Sequence, residues 1–217
     1  MWVPMWVVLL LLPASAIALS NQVNLIDGIN LDGASDVIVS PDGKNVYVAA
    51  AVSDSIVHWD RDTSTGTLSN QVNMMDQTNL DGVSGVTVSP DGKNVYAVAQ
   101  TSKSIVHWNR DMTTGVLSNQ VNKIDATNLD GADGVVISSD GKNVYAVARS
   151  SSSIVHWDRD STTGLLSNQV NLIDVTNLDK VKYVTMSPDG KNVYAVAYNS
   201  GSIVHWNRDT TTGALSN

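Results

Sequence analysis

SPDGKNVYVAAAVSDSIVHWDRDTSTGTLSNQVN, Ser40–Asn73, reads as a turn and three strands, and it returns with few changes 49 residues later. In Pro41-Asp42-Gly43-Lys44 proline fixes φ and glycine supplies positive φ, which makes a turn. Asn45–Ala49 after it and Val37–Ser40 before it are short β-branched runs that pair as a hairpin. Ser55–Arg61 is a third strand, in which alternation puts Ile56 and His58 on one face and Val57 and Trp59 on the other. Both faces are partly apolar, as expected of a sheet packed between two neighbours rather than one with a wet side. After the loop Asp62–Gly66 comes a fourth strand, Leu68–Asp76. Four antiparallel strands of this kind make one blade of a β-propeller.

The unit recurs. LSNQVN stands at Leu19, Leu68, Leu117 and Leu166, with LSN again at Leu215. A period of 40 to 50 residues built from strands means a radial β array, because helical repeats would space apolar residues by about 3.6. The first three strands of the unit start at Val37, Val86, Val135 and Val184, so the sequence opens on a fourth strand and stops as another would begin. That phase predicts an all-β, four-bladed propeller in which Leu19–Asp27 pairs with Ser202–Arg208 and removes the open edge. Two arrangements stay open beside it: two chains joined as an eight-bladed ring, and a piece of a longer propeller.

SPDGKNVYVAA at Ser40, SPDGKNVYAVA at Ser89 and Ser187, and SIVHWDRDTSTGTLS at Ser55 resemble the repeats of lactonase-type β-propellers. That family includes the 6-phosphogluconolactonase-like proteins and the YVTN-repeat surface proteins. The resemblance covers each repeat and implies the blade. It also implies lactone hydrolysis as one candidate activity, although the family's hydrolytic positions are not repeated ones and map to no residue here.

The chain has 217 residues, 13 basic and 21 acidic, and every acidic residue is aspartate. Aspartate suits turns, and the acidic balance excludes nucleic acid as the expected partner. Without cysteine, stability must come from apolar burial between repeats. Residues 1–18, MWVPMWVVLLLLPASAIA, carry an apolar run and small residues in an A-x-A pattern, which reads as a secretory signal peptide ahead of a propeller domain at 19–217. The run is shorter than the roughly 20 residues that span a bilayer. The expected location is therefore secreted or at the extracellular surface, with no transmembrane span.

His58, His107, His156 and His205 each precede a tryptophan in the third strand, and identical positions on separate blades suit packing better than a shared metal site. The loops Asp60–Gly66, Asn109–Gly115, Asp158–Gly164 and Asn207–Gly213 carry alternating oxygens but no glutamate to hold calcium bidentately. Asp27, Asp76, Asp125 and Asp174 are expected to cap turns. No nucleophile elbow, phosphate loop or zinc-binding helix motif occurs. No catalytic residue, metal ligand or cofactor is assigned on this reading.

The repeats differ most at Ala51/Gln100/Arg149/Tyr198, at Asp54/Lys103/Ser152/Gly201 and at Ser35/Ser84/Asp133/Lys182. The first two sets are placed in the loop between strands two and three and the third in the loop leading into strand one. All three thus gather at one end of the blades, opposite the nearly invariant PDGK and RDxxTG turns. Lys103, Arg149, Lys180, Lys182, Tyr183 and Tyr198 make a basic and aromatic sector there, the candidate site for a small anionic or carbohydrate ligand or a protein partner. The expected function is a binding scaffold acting through this varied face. The alternatives are a lactonase-like hydrolase and a structural protein assembling through strand edges, and a homodimer is an expected partner state.

Overall fold

The structure, a computed structural model, describes residues 24–217. The signal-peptide reading and most of the expected closing strand therefore lie outside the described residues. Among these, no helix is long and apolar enough to cross a membrane.

Four antiparallel sheets of four strands follow one another along the chain. The first holds β1 (Ala34–Val39), β2 (Asn45–Ala50), β3 (Ser55–Arg61) and β4 (Leu68–Met75). The second holds β5 (Val83–Val88), β6 (Asn94–Ala99), β7 (Ser104–Arg110) and β8 (Leu117–Ile124). The third holds β9 (Ala132–Ile137), β10 (Asn143–Ala148), β11 (Ser153–Arg159) and β12 (Leu166–Ile173). The fourth holds β13 (Val181–Met186), β14 (Asn192–Ala197), β15 (Ser202–Arg208) and the short β16 (Leu215–Ser216). β1, β5, β9 and β13 meet side by side and are the inner strands. The fourth strands are largely exposed and lie outermost.

Each first strand starts about three residues earlier than the β-branched run predicts, because a bulge extends it. Ser35, Ser84, Asp133 and Lys182 are the extra residues: Ala34 pairs with Ala50 and Asp36 with Ala49, and the same step recurs in every blade. A bulge leaves one residue out of the ladder and re-aims its side chain. The third varied set therefore sits on the inner strands themselves and not in the loops that lead to them.

Blades pack face to face. Tyr47, Ala49 and Ile56 of the first pack on Val86, Val95, Ala97, Val106 and Trp108 of the second, and two equivalent clusters fill the next two seams. The inner strands approach so closely that a Cβ on Gly85 would lie 2.8 Å from the Asp133 carbonyl oxygen, and one on Gly134 2.8 Å from that of Lys182. Glycine inside a strand is explained here by this approach.

Every seam is locked by one guanidinium. Arg110 at the end of β7 donates from Nε to Tyr47 Oη at 2.9 Å and from Nη2 to both Asp42 oxygens at 3.0 and 3.1 Å, with a short contact to Asn45 Oδ1. Its Nη1 reaches the Gly92 carbonyl of its own blade at 3.0 Å. Tyr47 in turn donates to the Gly115 carbonyl at 2.6 Å. Arg159 repeats the set with Asp91, Asn94 and Tyr96, and Arg208 with Asp140, Asn143 and Tyr145. Burial pushes the three tyrosines up to about 12, so they remain donors at any ordinary pH.

The blades form an arc, and this corrects the expected closed ring. Among the described residues β13 and β1 make no contact comparable to those between consecutive inner strands. Ile203 is 71% exposed where Ile56, Ile105 and Ile154 are at most 1%. At the other end Val37 is 60% exposed where Val86 is 3%. Asn24–Asp27, the described part of the expected closing strand, is not in a strand, and the edge of β15 is taken by β16. Leu215 pairs with Arg208 in the register in which Leu68 pairs with Arg61. A short loop tethers Leu215 to β15, and closing it costs less chain entropy than bringing in a segment from the far end of the sequence.

Removing one partner of a buried, multiply bonded charge costs about 3–5 kcal/mol. Arg159→Met, which strands Asp91, Asn94 and Tyr96 at the middle of the arc, is expected to lose about 3 kcal/mol in denaturant unfolding. Tyr96→Phe, which removes a donor and an acceptor but keeps the packing, is expected to lose about 1–2 kcal/mol.

Candidate functional site

The concave side of the arc holds a cleft of about 470 Å³ lined from all four inner strands. Asp36, Asp133, Gln100, Arg149, Lys182 and Tyr183 supply its polar wall. Asp133 and Lys182 reach it because they are bulge residues, and Gln100 and Arg149 because they directly follow β6 and β10. A second, shallower pocket of about 320 Å³ is lined by Arg149, Lys180, Lys182, Tyr198 and Asn199.

Of the six residues singled out in the sequence, five come together. Arg149 and Lys182 belong to both pockets, Tyr183 to the first, and Lys180 and Tyr198 to the second. Lys103 is not among them: its Nζ is held 3.3 Å from Asp130 Oδ2 in the loop before β7. The sequence reading passed over Asp133 and Gln100 as site residues. Their signal is present in the sequence, since both stand at positions where the repeats differ, but neither is basic or aromatic.

Asp133 is the distinctive group. In the first two blades the bulge residue is serine, and its hydroxyl crosses the seam: Ser35 Oγ donates to the Val83 carbonyl at 3.2 Å and Ser84 Oγ to that of Ala132 at 2.7 Å. A carboxylate at this position has no proton to donate. Asp133 Oδ1 accepts from Gln100 Nε2 at 3.3 Å, while Oδ2 is buried without a hydrogen-bond partner. Arg149 Nη1 lies 3.8 Å from that Oδ2, too far for a hydrogen bond, and donates to Gln100 Oε1 at 3.3 Å. Burial pushes the Asp133 carboxyl up, against the pull of Arg149 and Lys182 and the bond from Gln100. The Lys182 ammonium stands 5.8 Å from the centre of the Tyr183 ring. One arc thus carries a half-buried carboxyl, two cations, an amide and an exposed phenol around one space. Such a set can clamp an acidic group on the cations and hydroxyls on the amide and phenol.

The remaining sequence candidates are accounted for by structure. His58, His107 and His156 are buried at the seams, each with Nε2 3.0–3.1 Å from an asparagine Nδ2 and stacked on a tyrosine at 5.1–5.2 Å. His205, on the open end, is exposed. Asp62, Asp111, Asp160 and Asp209 accept from two backbone amides of their own turns, as do Asp27, Asp76, Asp125 and Asp174.

The lactonase family of seven-bladed β-propellers matches over residues 14–130 and 125–217. The chain belongs to that family. No curated protein matches the sequence. Among solved structures, a protein from Lactobacillus plantarum is 23% identical with a TM-score of 0.72, covering 84% of this chain and 53% of its own. The periplasmic gluconolactonase of Pseudomonas aeruginosa is 19% identical with a TM-score of 0.69, covering 85% and 52%. A proposed 6-phosphogluconolactonase of Bacteroides uniformis is 21% identical with a TM-score of 0.67, covering 84% and 52%. This lactonase-family chain therefore spans about half the length of the solved propellers it matches, and the likeness to them is one of fold.

The seam histidines give the arc an acid limit. Burial holds His107 down at about 4 and also lowers His58 and His156, with Asp60 and Asp158 opposing. A histidine with a depressed folded pKa favours the neutral form, so the unfolded chain binds more protons between about 6.5 and 4 and stability falls as pH is lowered through that window. Below it the seam carboxylates follow, Asp42 among them: burial raises it, but bonds from Ser40, the Lys44 amide and Arg110 outweigh this and hold it at about 2. The melting temperature is expected to drop steadily from pH 6.5 to 4, and His107→Gln to flatten part of that slope in calorimetric scans.

Proposed function

We propose that the cleft and the shallower pocket that shares Arg149 and Lys182 with it bind a small acidic, polyhydroxylated ligand, with Arg149 and Lys182 on its anionic group and Gln100, Tyr183 and Tyr198 on its hydroxyls. The observation that carries this reading is the gathering of the non-repeated cations on one concave surface of an acidic protein. Family membership supports a sugar-acid ligand, since the solved relatives include a named gluconolactonase. The cleft is read as part of a propeller channel, and the first eighteen residues as an export signal that places the binding site outside the cell.

Gluconate is the probe, because it joins one carboxylate to a chain of hydroxyls. Calorimetric titration is expected to show binding that weakens at least about tenfold in Arg149→Ala/Lys182→Ala. An affinity untouched by that double substitution overturns the reading.

One observation favours a second reading, lactone hydrolysis. Asp133 Oδ2 is buried, unpartnered and close to two cations, which is the arrangement of a general base beside a stabiliser of a developing oxyanion. Here Asp133 would take a proton from the attacking water while Arg149 or Lys182 faced the carbonyl oxygen. Turnover of glucono-δ-lactone above its spontaneous rate, lost in Asp133→Asn while gluconate binding stays within about threefold, would establish a hydrolase in place of a scaffold.

A further inference from the structure

Asp133 is a worse residue for its seam than the serine its own repeat supplies. In the first two blades the bulge hydroxyl donates across the seam, from Ser35 to the Val83 carbonyl and from Ser84 to that of Ala132. The carboxylate of the third blade gives up that bond, since it has no proton to offer the fourth. It gains little in return: Oδ1 accepts from Gln100 Nε2 at 3.3 Å, and Oδ2 is buried with no hydrogen-bond partner. A buried acceptor without a donor is destabilising, so its place on the wall of the cleft points to a use there.

Arg149 Nη1 stands 3.8 Å from Oδ2, too far for a direct hydrogen bond. A donor and an acceptor at that separation are matched by two oxygens on adjacent carbons. Such oxygens lie closer together than the gap, and two hydrogen bonds of ordinary length, splayed outward, carry them to Nη1 and Oδ2. The oxygen facing Arg149 must accept and the one facing Asp133 must donate. A carboxylate with a hydroxyl on its α-carbon has that order of groups. Arg149 is the member of the pair that can yield to admit it: its side chain is 40% exposed against 13% for Asp133, and its one side-chain hydrogen bond among the described residues is the 3.3 Å bond to Gln100 Oε1. Arg149 and Lys182 both act on the Asp133 carboxyl, so an α-ammonium would meet two cations where a hydroxyl meets none of that repulsion. We propose that Asp133 Oδ2 accepts the α-hydroxyl of the ligand while Arg149 takes its carboxylate, which makes the cleft selective for α-hydroxy acids. The inference rests on the sugar-acid binding proposed above and names the hydroxyl that the site reads. Every group it uses lies on the second, third and fourth blades, around seams that are made within the chain.

Calorimetric titrations compare gluconate with 2-deoxygluconate, which lacks only the α-hydroxyl, on the unaltered protein and on Asp133→Ser. The variant restores the residue of the first two blades, with its hydroxyl directed across the seam, and is expected to melt no lower than the unaltered protein. Slightly alkaline buffer keeps the carboxyl ionised against the upward push of burial. On the unaltered protein, loss of the α-hydroxyl is expected to weaken binding at least about tenfold, as for a hydrogen bond to a charged group. On Asp133→Ser the two acids are expected to bind within about twofold of each other, since nothing there reads the hydroxyl. 2-Amino-2-deoxygluconate, which puts an ammonium at the same carbon, is expected to bind the unaltered protein more weakly than gluconate. Equal affinity for gluconate and its 2-deoxy analogue, with the Arg149→Ala/Lys182→Ala effect intact, overturns the inference and leaves the binding site standing. A preference that survives in Asp133→Ser, or tighter binding of the amino compound, overturns it in the same way. Absence of binding by all three compounds removes the site and the inference together.

Discussion

The guanidinium that Arg110, Arg159 and Arg208 each carry across a seam is a charge withdrawn from water, tolerated because its donors meet a carboxylate, an amide oxygen, a phenol and a backbone carbonyl in one socket. The rest of the blade is arranged to build that socket. The PDGK turn presents Asp42 through its own bonds to Ser40 and the Lys44 amide, and Asn45 is fixed by His58 and Asp60. Tyr47 is clamped between Arg110 and Gly115. Three repeated motifs, PDGKN, Y and HWxR, are therefore parts of one contact, which is why they recur together.

Much of this was legible at the level of the blade and little of it at the level of the seam. The 49-residue period and the alternation in Ser55–Arg61 place three of the four strands of a unit to within about a residue, because strand alternation and turn chemistry are local. The seam joins residues 63, 65 and 68 positions apart. A repeat read one unit at a time assigns Asp42 to a turn and Arg61 to a strand end, and nothing in the unit says that such residues meet across units. Leu19 and Leu215 begin the same LSN, and sequence identity alone cannot say which of them faces Arg208; the structure gives that place to Leu215, which a short tether holds beside β15.

The varied residues were found by sequence, but their convergence depends on a backbone irregularity that has no motif. Ser35, Ser84, Asp133 and Lys182 differ in size and charge because a bulge residue lies outside the ladder and its side chain owes nothing to the pairing. Their neighbours lack that freedom: Gly85 and Gly134 are held to glycine by the strand pressed against them. In the two middle blades the inner strand thus sets a position held to glycine beside one that varies freely, while in the first blade Asp36 fills the glycine's place and accepts from the Val86 amide across the seam. That is how a fourfold repeat acquires an asymmetric cleft without loss of its seams.

Repetition also sets how the ends behave. Since every seam uses one chemistry, side-chain complementarity alone cannot tell a blade of the same chain from a blade of another; connectivity decides, by holding neighbours at high effective concentration. Inside the arc that advantage is permanent and the seams are made. On the outer faces of the first and fourth blades no neighbouring blade stands among the described residues, and natural sheets usually blunt such surfaces with charge or cover. Here the charge at each end, Arg61 at one and Asp189 at the other, is opposite in sign and repeats the seam, so it leaves the end faces competent to pair. The substitutions that distinguish the last inner strand, Lys182 and Tyr183, lie where that outer seam and the cleft meet, so the residues that give the cleft its character also border the surface on which another blade would sit.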